Sequence, residues 1–170
     1  LEKHGIPFVG SGAAACKQCF DKYEASRTIA SHGFPTLPCA LLKIYYDDHE
    51  EIVRDFFARY QPERVIVKPA AGGSSIGVFA ATSPAEAIEK VKLLFSRRMD
   101  TRVVLEQFAR GIEFTVVVLE NRFGLPVAIM PTEVEKDYEA HQIFDYRRKY
   151  LPTGQFTFTT DLPFDPNVQA

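Results

Sequence analysis

The most informative part of the sequence is RVIVKPAAGGSSIGV, residues 64–78. Its β-branched run at residues 65–67 predicts a short buried strand, and Lys68 stands at the exit of that strand. The Gly-Gly-Ser-Ser of residues 72–75 supplies two residues free to take positive φ and two hydroxyls, after which residues 76–81 resume a strand pattern. Such a loop can direct backbone N–H and side-chain O–H groups at one anion, and Lys68 beside it favours a phosphate.

The order of elements around this loop is strand, loop, strand. In a P-loop the glycines lead directly into a helix whose N-terminus holds the phosphates, whereas Ile76, Val78 and Phe79 continue an apolar strand here. An antiparallel hairpin closing over a nucleotide therefore suits this stretch better than a Walker fold. An ordinary hairpin turn whose serines only aid solubility fits the same residues equally well.

Composition sets the class of protein. The 170 residues suffice for one compact domain or two small lobes, and the formal charge of -2 gives no electrostatic case for nucleic acid or an anionic membrane. No apolar run approaches the ~20 residues of a membrane span and no signal peptide opens the chain, so we expect a soluble protein. Cys16, Cys19 and Cys39 cannot all pair internally, which favours a reducing compartment.

Both chain ends predict an internal fragment of a larger protein. Residues 1–5 resemble the last turn of a helix capped by Gly5. Asp165 followed by Pro166 is typical of a helix that is beginning. We therefore expect some residues needed for function to lie outside this chain.

Two motifs near the N-terminus do not predict a site. A short strand expected at residues 6–9 leads into G-x-G-x-x-A at residues 10–15, but the acidic residue that a dinucleotide fingerprint needs about 20 positions later is missing. Cys16 and Cys19 have zinc spacing without a second ligand pair, which favours two small buried side chains. The four histidines are scattered, and we predict no metal site within the chain.

Periodicity and capping signals predict the remaining elements. Helices are expected at residues 13–31 with a break near Asp21, from Asp47 with Glu50 in a capping-box variant, and from Ser83 with Pro84 and Glu86. The residues expected to face a core are Ile52, Val53, Phe56, Phe57, Tyr60, Ile88, Val91, Leu94 and Phe95. Further strands are expected at residues 37–45, 103–108, 111–119 and 123–130, with a turn at Asn121-Arg122 before the last of them.

Acidic and aromatic side chains at strand ends suit the base and sugar of a nucleotide. Glu106 and Phe108 end one strand and Glu113 begins the next, where free backbone groups, an acid and a ring can recognise adenine and ribose. Plain solvation is the simpler explanation of each acid taken singly. Residues 144–150, FDYRRKY, follow a polar run and fit either an anion-binding lid or a surface loop whose charges only keep it solvated.

Six short motifs occur in a fixed order along the chain. They are GIPFVGSG at residues 5–12, DK at 21–22, GFPT at 33–36, VKP and GSSIG within 67–77, LEQF and GIEFTV within 105–116, and FDYRRKY at 144–150. This ordered set, which covers nearly the whole chain, resembles the D-alanine:D-alanine ligases of the ATP-grasp superfamily. Each motif alone is unspecific, and the order gives the resemblance its weight.

The resemblance implies an α/β (α+β) ATP-grasp fold, an antiparallel sheet with flanking helices, as part of a three-domain ligase. It implies the end of an N-terminal domain and a linker at residues 1–12, a central lobe with the glycine-serine loop at 13–109, and the start of a C-terminal lobe with a substrate lid at 110–170. In the implied reaction ATP phosphorylates the carboxylate of one D-alanine, and the amine of a second D-alanine displaces the phosphate. The dipeptide serves peptidoglycan precursor synthesis.

The resemblance also implies the site residues. The expected ATP-binding residues are Lys22 and Lys68 on the phosphates, Gly73, Ser74 and Ser75 in the loop, Glu106 and Phe108 at adenine, and Glu113 at ribose. The expected catalytic residues are Ser74, Tyr150 and Lys149. Ser74 and Tyr150 match a hydroxyl pair that orients substrate and lid together with a glutamate outside this chain, and Lys149 matches the lid lysine near the transferred phosphoryl group. A tyrosine at that lid position is typical of a second substrate that is an amino acid.

Cofactors, partners and location are implied in the same way. The metal is magnesium or manganese, with carboxylate and asparagine ligands expected beyond Ala170, so we expect the chain alone to be inactive. The partners are ATP and D-alanine, with neither nucleic acid nor membrane. The bacterial relatives imply a cytoplasmic homodimer, and a eukaryotic source would imply a plastid.

The lid departs from the family pattern. Arg147 and Arg148 replace an acid and an alanine, and the polar run before them looks longer than usual, which resembles divergent members. Two alternatives stay open: an ATP-grasp relative that binds nucleotide without ligase turnover, and a ligase for a different carboxylate and amine.

Overall fold

The computed structural model describes residues 1–134 of the chain. After a 3₁₀ turn at Glu2–His4, the helices are α1 (Ala13–Phe20), α2 (Lys22–Ser31), α3 (His49–Tyr60) and α4 (Pro84–Ser96). The strands are β1 (Cys39–Lys43), β2 (Val65–Pro69), β3 (Phe79–Ala81), β4 (Arg102–Gln107), β5 (Phe114–Thr115), β6 (Val118–Glu120), β7 (Pro126–Ala128) and β8 (Thr132–Glu133). Within residues 1–134 no helix has the length and apolarity to cross a membrane.

Four strands form one antiparallel sheet in the order β1-β4-β2-β3. The strands on either side of the glycine-serine loop pair directly, with Val67 opposite Phe79, which confirms the predicted order of strand, loop, strand. Strand β2 also pairs with β4, with Val67 opposite Leu105 and Ile66 opposite Glu106. Because β4 has a partner on each side, it places its residues beside both β1 and β2.

Helices α3 and α4 pack on one face of this sheet and form the core with it. The core residues are Leu42, Val53, Phe56, Val65, Val67, Ala81, Ala87, Ile88, Val91, Leu94, Phe95, Val103 and Leu105. The predicted stripe of α4 is confirmed, whereas Tyr60 at the end of α3 is 38% exposed. Since successive strand residues point to opposite faces, Ile66, Lys68 and Glu106 lie on the face away from this core.

Side-chain caps fix the starts of two helices, one at the predicted break near Asp21 and one at the predicted Ser83 cap. The Asp21 carboxylate accepts hydrogen bonds from the backbone N–H groups of Tyr23 and Glu24, so this residue ends α1 and begins α2. The Ser83 hydroxyl accepts the N–H of Glu86 at the start of α4. These three bonds satisfy donors that the first helical turn would leave unpaired.

The start of α3 differs from its prediction. The helix begins at His49 rather than at Asp47, and Asp48 as N-cap makes no side-chain cap bond. The Glu50 carboxylate does not serve a capping box, because it pairs with Arg54 and with Lys92 of α4. Glu50 thus pairs with Lys92 on the neighbouring helix instead of with the backbone N–H at the start of its own helix.

The N-terminal predictions need two corrections. Residues 6–9 form no strand, because in the described chain they have no strand to pair with; Gly5, in the left-handed conformation with φ 62°, ends the 3₁₀ turn as predicted. Cys16 and Cys19 are exposed rather than buried. Helix α1 packs on α2 and lies apart from the sheet core, so its small residues stay at the surface.

Residues 113–134 form an antiparallel ribbon of four short strands, whereas two long strands were predicted. Strand β5 pairs with β8, β6 pairs with β7, and the Ile129 N–H bonds to the Val117 carbonyl at 2.9 Å between the two ladders. The Asn121 side chain forms the predicted turn by accepting the N–H groups of Phe123 and Leu125. Large apolar side chains along the ribbon are exposed, with Val118 at 58%.

The lid motif at residues 144–150, with the expected catalytic residues Lys149 and Tyr150, lies outside the described residues. The division of the chain at residues 12 and 109 stays a prediction. The sheet and the two helices that cover it fall within residues 39–107.

Candidate functional site

The glycine-serine loop joins β2 to β3 at residues 70–78. Four of its residues take positive φ, namely Gly72 at 123°, Ser74 at 58°, Ser75 at 56° and Gly77 at 72°. Gly73, although free to take positive φ, does not take it, and the two serines are in the left-handed conformation. Serine in that region is uncommon and costs conformational free energy, which is typical of a loop shaped for binding. Strand β3 starts only at Phe79, since residues 74–77 form a turn.

Lys22, the first residue of α2, reaches this loop from a distant part of the chain. Its backbone N–H bonds to the Ala70 carbonyl at 2.9 Å, and its Nζ donates to the carbonyls of Pro69 at 3.2 Å and Gly72 at 3.0 Å. Burial, followed by the nearby Lys68 ammonium, lowers the pKa of Lys22 from its ordinary value. The two lysines are therefore close enough for their charges to oppose each other.

Lys68 and Glu106 form an ion pair on the sheet face away from the core. The Lys68 Nζ lies 2.5 Å from the Glu106 Oε2, and the two side chains are 17% and 19% exposed. Their strands are neighbours, with Glu106 opposite Ile66. The sheet thus brings the lysine expected at the phosphates into contact with the acid expected at adenine.

The remaining expected residues of the described chain lie at the end of β4 and beyond it. The Phe108 N–H bonds to the Arg64 carbonyl at 3.0 Å, and the Arg64 guanidinium lies 5.3 Å from the centre of the Phe108 ring. Glu113 lies at the base of the ribbon, where its carbonyl accepts the Val134 N–H at 2.8 Å. The part of the site expected to bind adenine therefore contains the Phe108 ring, which already contacts the Arg64 guanidinium.

Three charged residues beside Lys22 were missed by sequence reasoning. Asp21, which is 7% exposed, pairs with Arg102 at the start of β4, and Asp100 accepts the Ala71 N–H of the loop at 2.7 Å. For Asp21 the sequence signals were the helix break and the DK motif, whereas its partner Arg102 lies 81 residues away along the chain and had none. No group of three histidine, cysteine, aspartate or glutamate side chains within residues 1–134 is arranged to hold a metal ion.

A cavity of about 280 Å³ lies between α2 and the start of β1. Its lining residues are Tyr23, Ser26, Arg27, Ala30, Thr36, Leu37 and Cys39. Burial raises the pKa of the Cys39 thiol. Cys39 is directly opposite Glu106 in the sheet, so the cavity borders the ion-paired face without including an expected site residue.

Comparison with known proteins agrees with this arrangement. The family model described as D-ala D-ala ligase C-terminus matches residues 29–170. The chain belongs to this family. Membership in the D-ala D-ala ligase C-terminus family confirms the resemblance found in the six motifs.

Relatives of the family show the same likeness. The D-alanine--D-alanine ligase of Marinomonas sp. (strain MWYL1) is 34% identical over 91% of this chain and 47% of its own length. The solved D-alanine-D-alanine ligase from Coxiella burnetii is 26% identical with a TM-score of 0.68, over 76% of this chain and 37% of that one. The VanG D-Ala:D-Ser ligase from Enterococcus faecalis is 25% identical with a TM-score of 0.66, over 79% and 37%.

These likenesses confirm the ATP-grasp fold that the motifs implied. The chain spans about half the length of the curated relatives that it matches. It corresponds to only part of each solved ligase.

Proposed function

We propose that this chain belongs to an ATP-dependent ligase that joins two D-alanine molecules for peptidoglycan precursor synthesis. The observation that carries the proposal is the convergence of Lys22, Lys68 and the glycine-serine loop, from separate elements, at the end of β2. Phosphoryl transfer requires mainly that the reactants be positioned and that the charge of the phosphates be neutralised. Two ammonium groups beside a loop of exposed backbone groups suit that requirement.

The reaction has two steps. A carboxylate oxygen of the first D-alanine attacks the γ-phosphorus, the bond to the bridging oxygen breaks, and ADP leaves. The amine of the second D-alanine then attacks the acyl carbon, loses a proton and displaces inorganic phosphate. We assign Lys22 and Lys68 to the phosphates of ATP in the first step, with Gly73, Ser74 and Ser75 against the same groups.

Glu106, Phe108 and Glu113 are assigned to the nucleoside. Because the Glu106 Oε2 bonds Lys68, its other oxygen is left to accept from the amino group of adenine. The ion pair then links the two ends of the nucleotide, since Lys68 lies between the phosphates and the base. Ser74, Lys149 and Tyr150 keep the roles that the family resemblance implies, at the transferred phosphoryl group and the lid.

A divalent metal, magnesium or manganese, is expected from the family and would neutralise charge on the phosphates. The residues described here do not supply a ligand set for it. Its ligands are expected beyond Ala170, and no step above depends on them. The cytoplasmic location and the homodimer also stay proposals by analogy with the family.

The proposal is tested by ADP release from the full-length protein. We expect ADP to form from ATP only when D-alanine is present, and Lys68→Met to reduce kcat/KM for ATP by at least about 100-fold, as loss of one charged phosphate contact in a catalytic site does. Lys92→Met is the matched control, because Lys92 pairs with Glu50 on the helical side of the molecule. ATP binding without ADP release that depends on D-alanine would favour a nucleotide-binding relative without ligase turnover.

The second substrate needs its own comparison. One similar structure is named a D-Ala:D-Ser ligase, and Tyr150, from which an amino acid is inferred as second substrate, lies outside the described residues. ADP release should therefore be measured with D-alanine alone and with D-alanine plus D-serine or D-lactate. If ADP is released faster with D-alanine plus D-serine or D-lactate than with D-alanine alone, that compound is the second substrate in place of D-alanine.

A further inference from the structure

We propose that residues 100–102, the segment that leads into β4 at Arg102, form a clamp that positions Lys22 and the glycine-serine loop together for the triphosphate. Asp100 and Arg102 are thus positioning residues that act through Asp21, Lys22 and the loop. This inference rests on the proposed function, since it assumes that Lys22 contacts phosphate. It adds a group of residues that neither the motifs nor the resemblance assigned to the site.

The first contact of the clamp joins β4 to α2. The Arg102 guanidinium pairs with the Oδ2 of Asp21, while the Oδ1 of Asp21 accepts the N–H groups of Tyr23 and Glu24 at 3.1 Å. Asp21 is 7% exposed, so its charge depends on partners rather than on water. One carboxylate therefore fixes the first turn of α2, where Lys22 lies, to the end of the sheet.

The second set of contacts joins β4 to the loop. The Ala70 N–H donates to the Arg102 carbonyl at 3.0 Å, and the Ala71 N–H donates to the Asp100 Oδ2 at 2.7 Å. The other oxygen of Asp100 accepts the Arg102 N–H at 3.1 Å. The two residues that open the loop are therefore both hydrogen-bonded to residues 100–102.

Lys22 joins α2 directly to the loop. Its N–H bonds to the Ala70 carbonyl and its ammonium bonds to the carbonyls of Pro69 and Gly72. Three segments far apart in sequence, at residues 21–22, 69–72 and 100–102, are thereby held in one arrangement. A group held in place before substrate arrives loses less conformational freedom on binding, which favours affinity.

Charge gives the clamp a second role. The carboxylates of Asp100 and Asp21 favour the protonated form of Lys22, against burial and the Lys68 ammonium. Arg102 balances the charge of Asp21, because it occupies the carboxylate oxygen that the cap does not use. Without Arg102, the buried carboxylate would attract the Lys22 ammonium away from the loop carbonyls.

The test compares variants of the full-length protein by steady-state kinetics and by calorimetric titration with ATP. We expect Arg102→Met to raise the KM and the Kd for ATP by about 10-fold, the effect of one charge-assisted hydrogen bond, with the KM for D-alanine unchanged. Asp21→Asn keeps a cap oxygen and should match that effect, and the double variant should be no worse than either single one. Arg102→Lys, which keeps the charge, should recover part of the affinity.

Arg54→Met is the matched control, since Arg54 is an ion-paired arginine on α3. A residue that only supports the fold would lower the fraction of active protein and leave both KM values unchanged. Unchanged ATP affinity in Arg102→Met, or equal increases in both KM values, would overturn the clamp. If Arg102→Met does not fold, Asp21→Asn and Arg102→Lys decide the question by the same two KM values.

The two proposals fail in different ways. Wild-type protein that releases no ADP in response to D-alanine contradicts the ligase reaction, while the titration with ATP still reports on the clamp. Wild-type protein that binds no ATP contradicts both. Wild-type turnover together with normal ATP affinity in Arg102→Met contradicts the clamp alone.

Discussion

Lys68 and Glu106 form an ion pair across neighbouring strands, 2.5 Å from Nζ to Oε2, on the sheet face opposite the core. Both side chains are less than one-fifth exposed, so neither charge is fully hydrated. An ammonium proposed to hold phosphate is thus compensated by a carboxylate before any nucleotide arrives. The two adjacent strands can carry a half-buried lysine and a half-buried glutamate because each side chain compensates the charge of the other.

The first prediction concerns the stability that this pair provides. Lys68→Met leaves the Glu106 carboxylate without its partner, and we expect a loss of about 2 kcal/mol in the free energy of unfolding, in the range for a partly buried group left unsatisfied. The double variant with Glu106→Gln should recover part of that loss, because no unpaired charge remains. Urea unfolding followed by circular dichroism measures both, and additive losses would contradict the coupling.

The second prediction concerns pH and Lys22. Since burial and Lys68 lower the pKa of Lys22, the folded protein loses this proton at a lower pH than the unfolded chain, whose lysine keeps its ordinary value of 10.5. Between those two pKa values the unfolded state binds more protons, so this group makes folding more favourable as the pH rises. Phosphate binding has the opposite dependence, because it needs the ammonium.

We therefore expect ATP affinity to weaken with rising pH before the ordinary lysine pKa is reached. Lys22→Arg should bind ATP with a flatter profile over the same range, since a guanidinium stays charged. Titration with ATP at several alkaline pH values measures the difference. Lys92→Arg is the control, and identical profiles for wild type and Lys22→Arg would contradict the assignment.

The third prediction concerns Gly77 at the end of the loop. A Cβ there would meet the Leu94 Cδ2 and the Met99 Cε at 3.0 Å, in a backbone with φ +72°. We expect Gly77→Ala to lower the free energy of unfolding by about 2–3 kcal/mol, from the left-handed strain and the contact together. Gly33→Ala, at φ +82° with open space around its Cβ, should show the backbone cost alone. Equal losses for the two variants would show that the contact costs nothing.

The fourth prediction compares neighbours on opposite faces of β4. Leu105 is fully buried in the core, whereas Glu106 contacts Lys68. Leu105→Ala should lower the free energy of unfolding by about 2–5 kcal/mol through lost burial and a cavity, with the Kd for ATP of the folded protein within twofold of wild type. Glu106→Gln should raise the Kd for ATP while lowering the free energy of unfolding less than Leu105→Ala does. If Leu105→Ala raised the Kd for ATP and Glu106→Gln did not, the nucleotide would lie on the core face of the sheet instead.

Local sequence signals predicted much of the fold because they act over a few residues. The break at Asp21, the cap at Ser83, the apolar stripe of α4 and the Asn121 turn all depend on neighbours within about one helical turn, and each is found. Predictions failed where a local pattern lacked a tertiary partner. Residues 6–9 have a strand composition but no strand beside them in the described chain. Glu50 pairs with Lys92 of another helix rather than with the backbone of its own helix.

Sequence patterns were enough to predict the order of strand, loop and strand, the two helices of the core, and the motif set that identifies the family. The contact between Lys68 and Glu106, and the contacts of Asp100 and Arg102 with the loop and with Asp21, became visible only in the folded chain. The physical reason is distance along the chain: these contacts join residues 29 to 81 positions apart. No local propensity encodes such a pair, because sheet register and helix packing bring its members together.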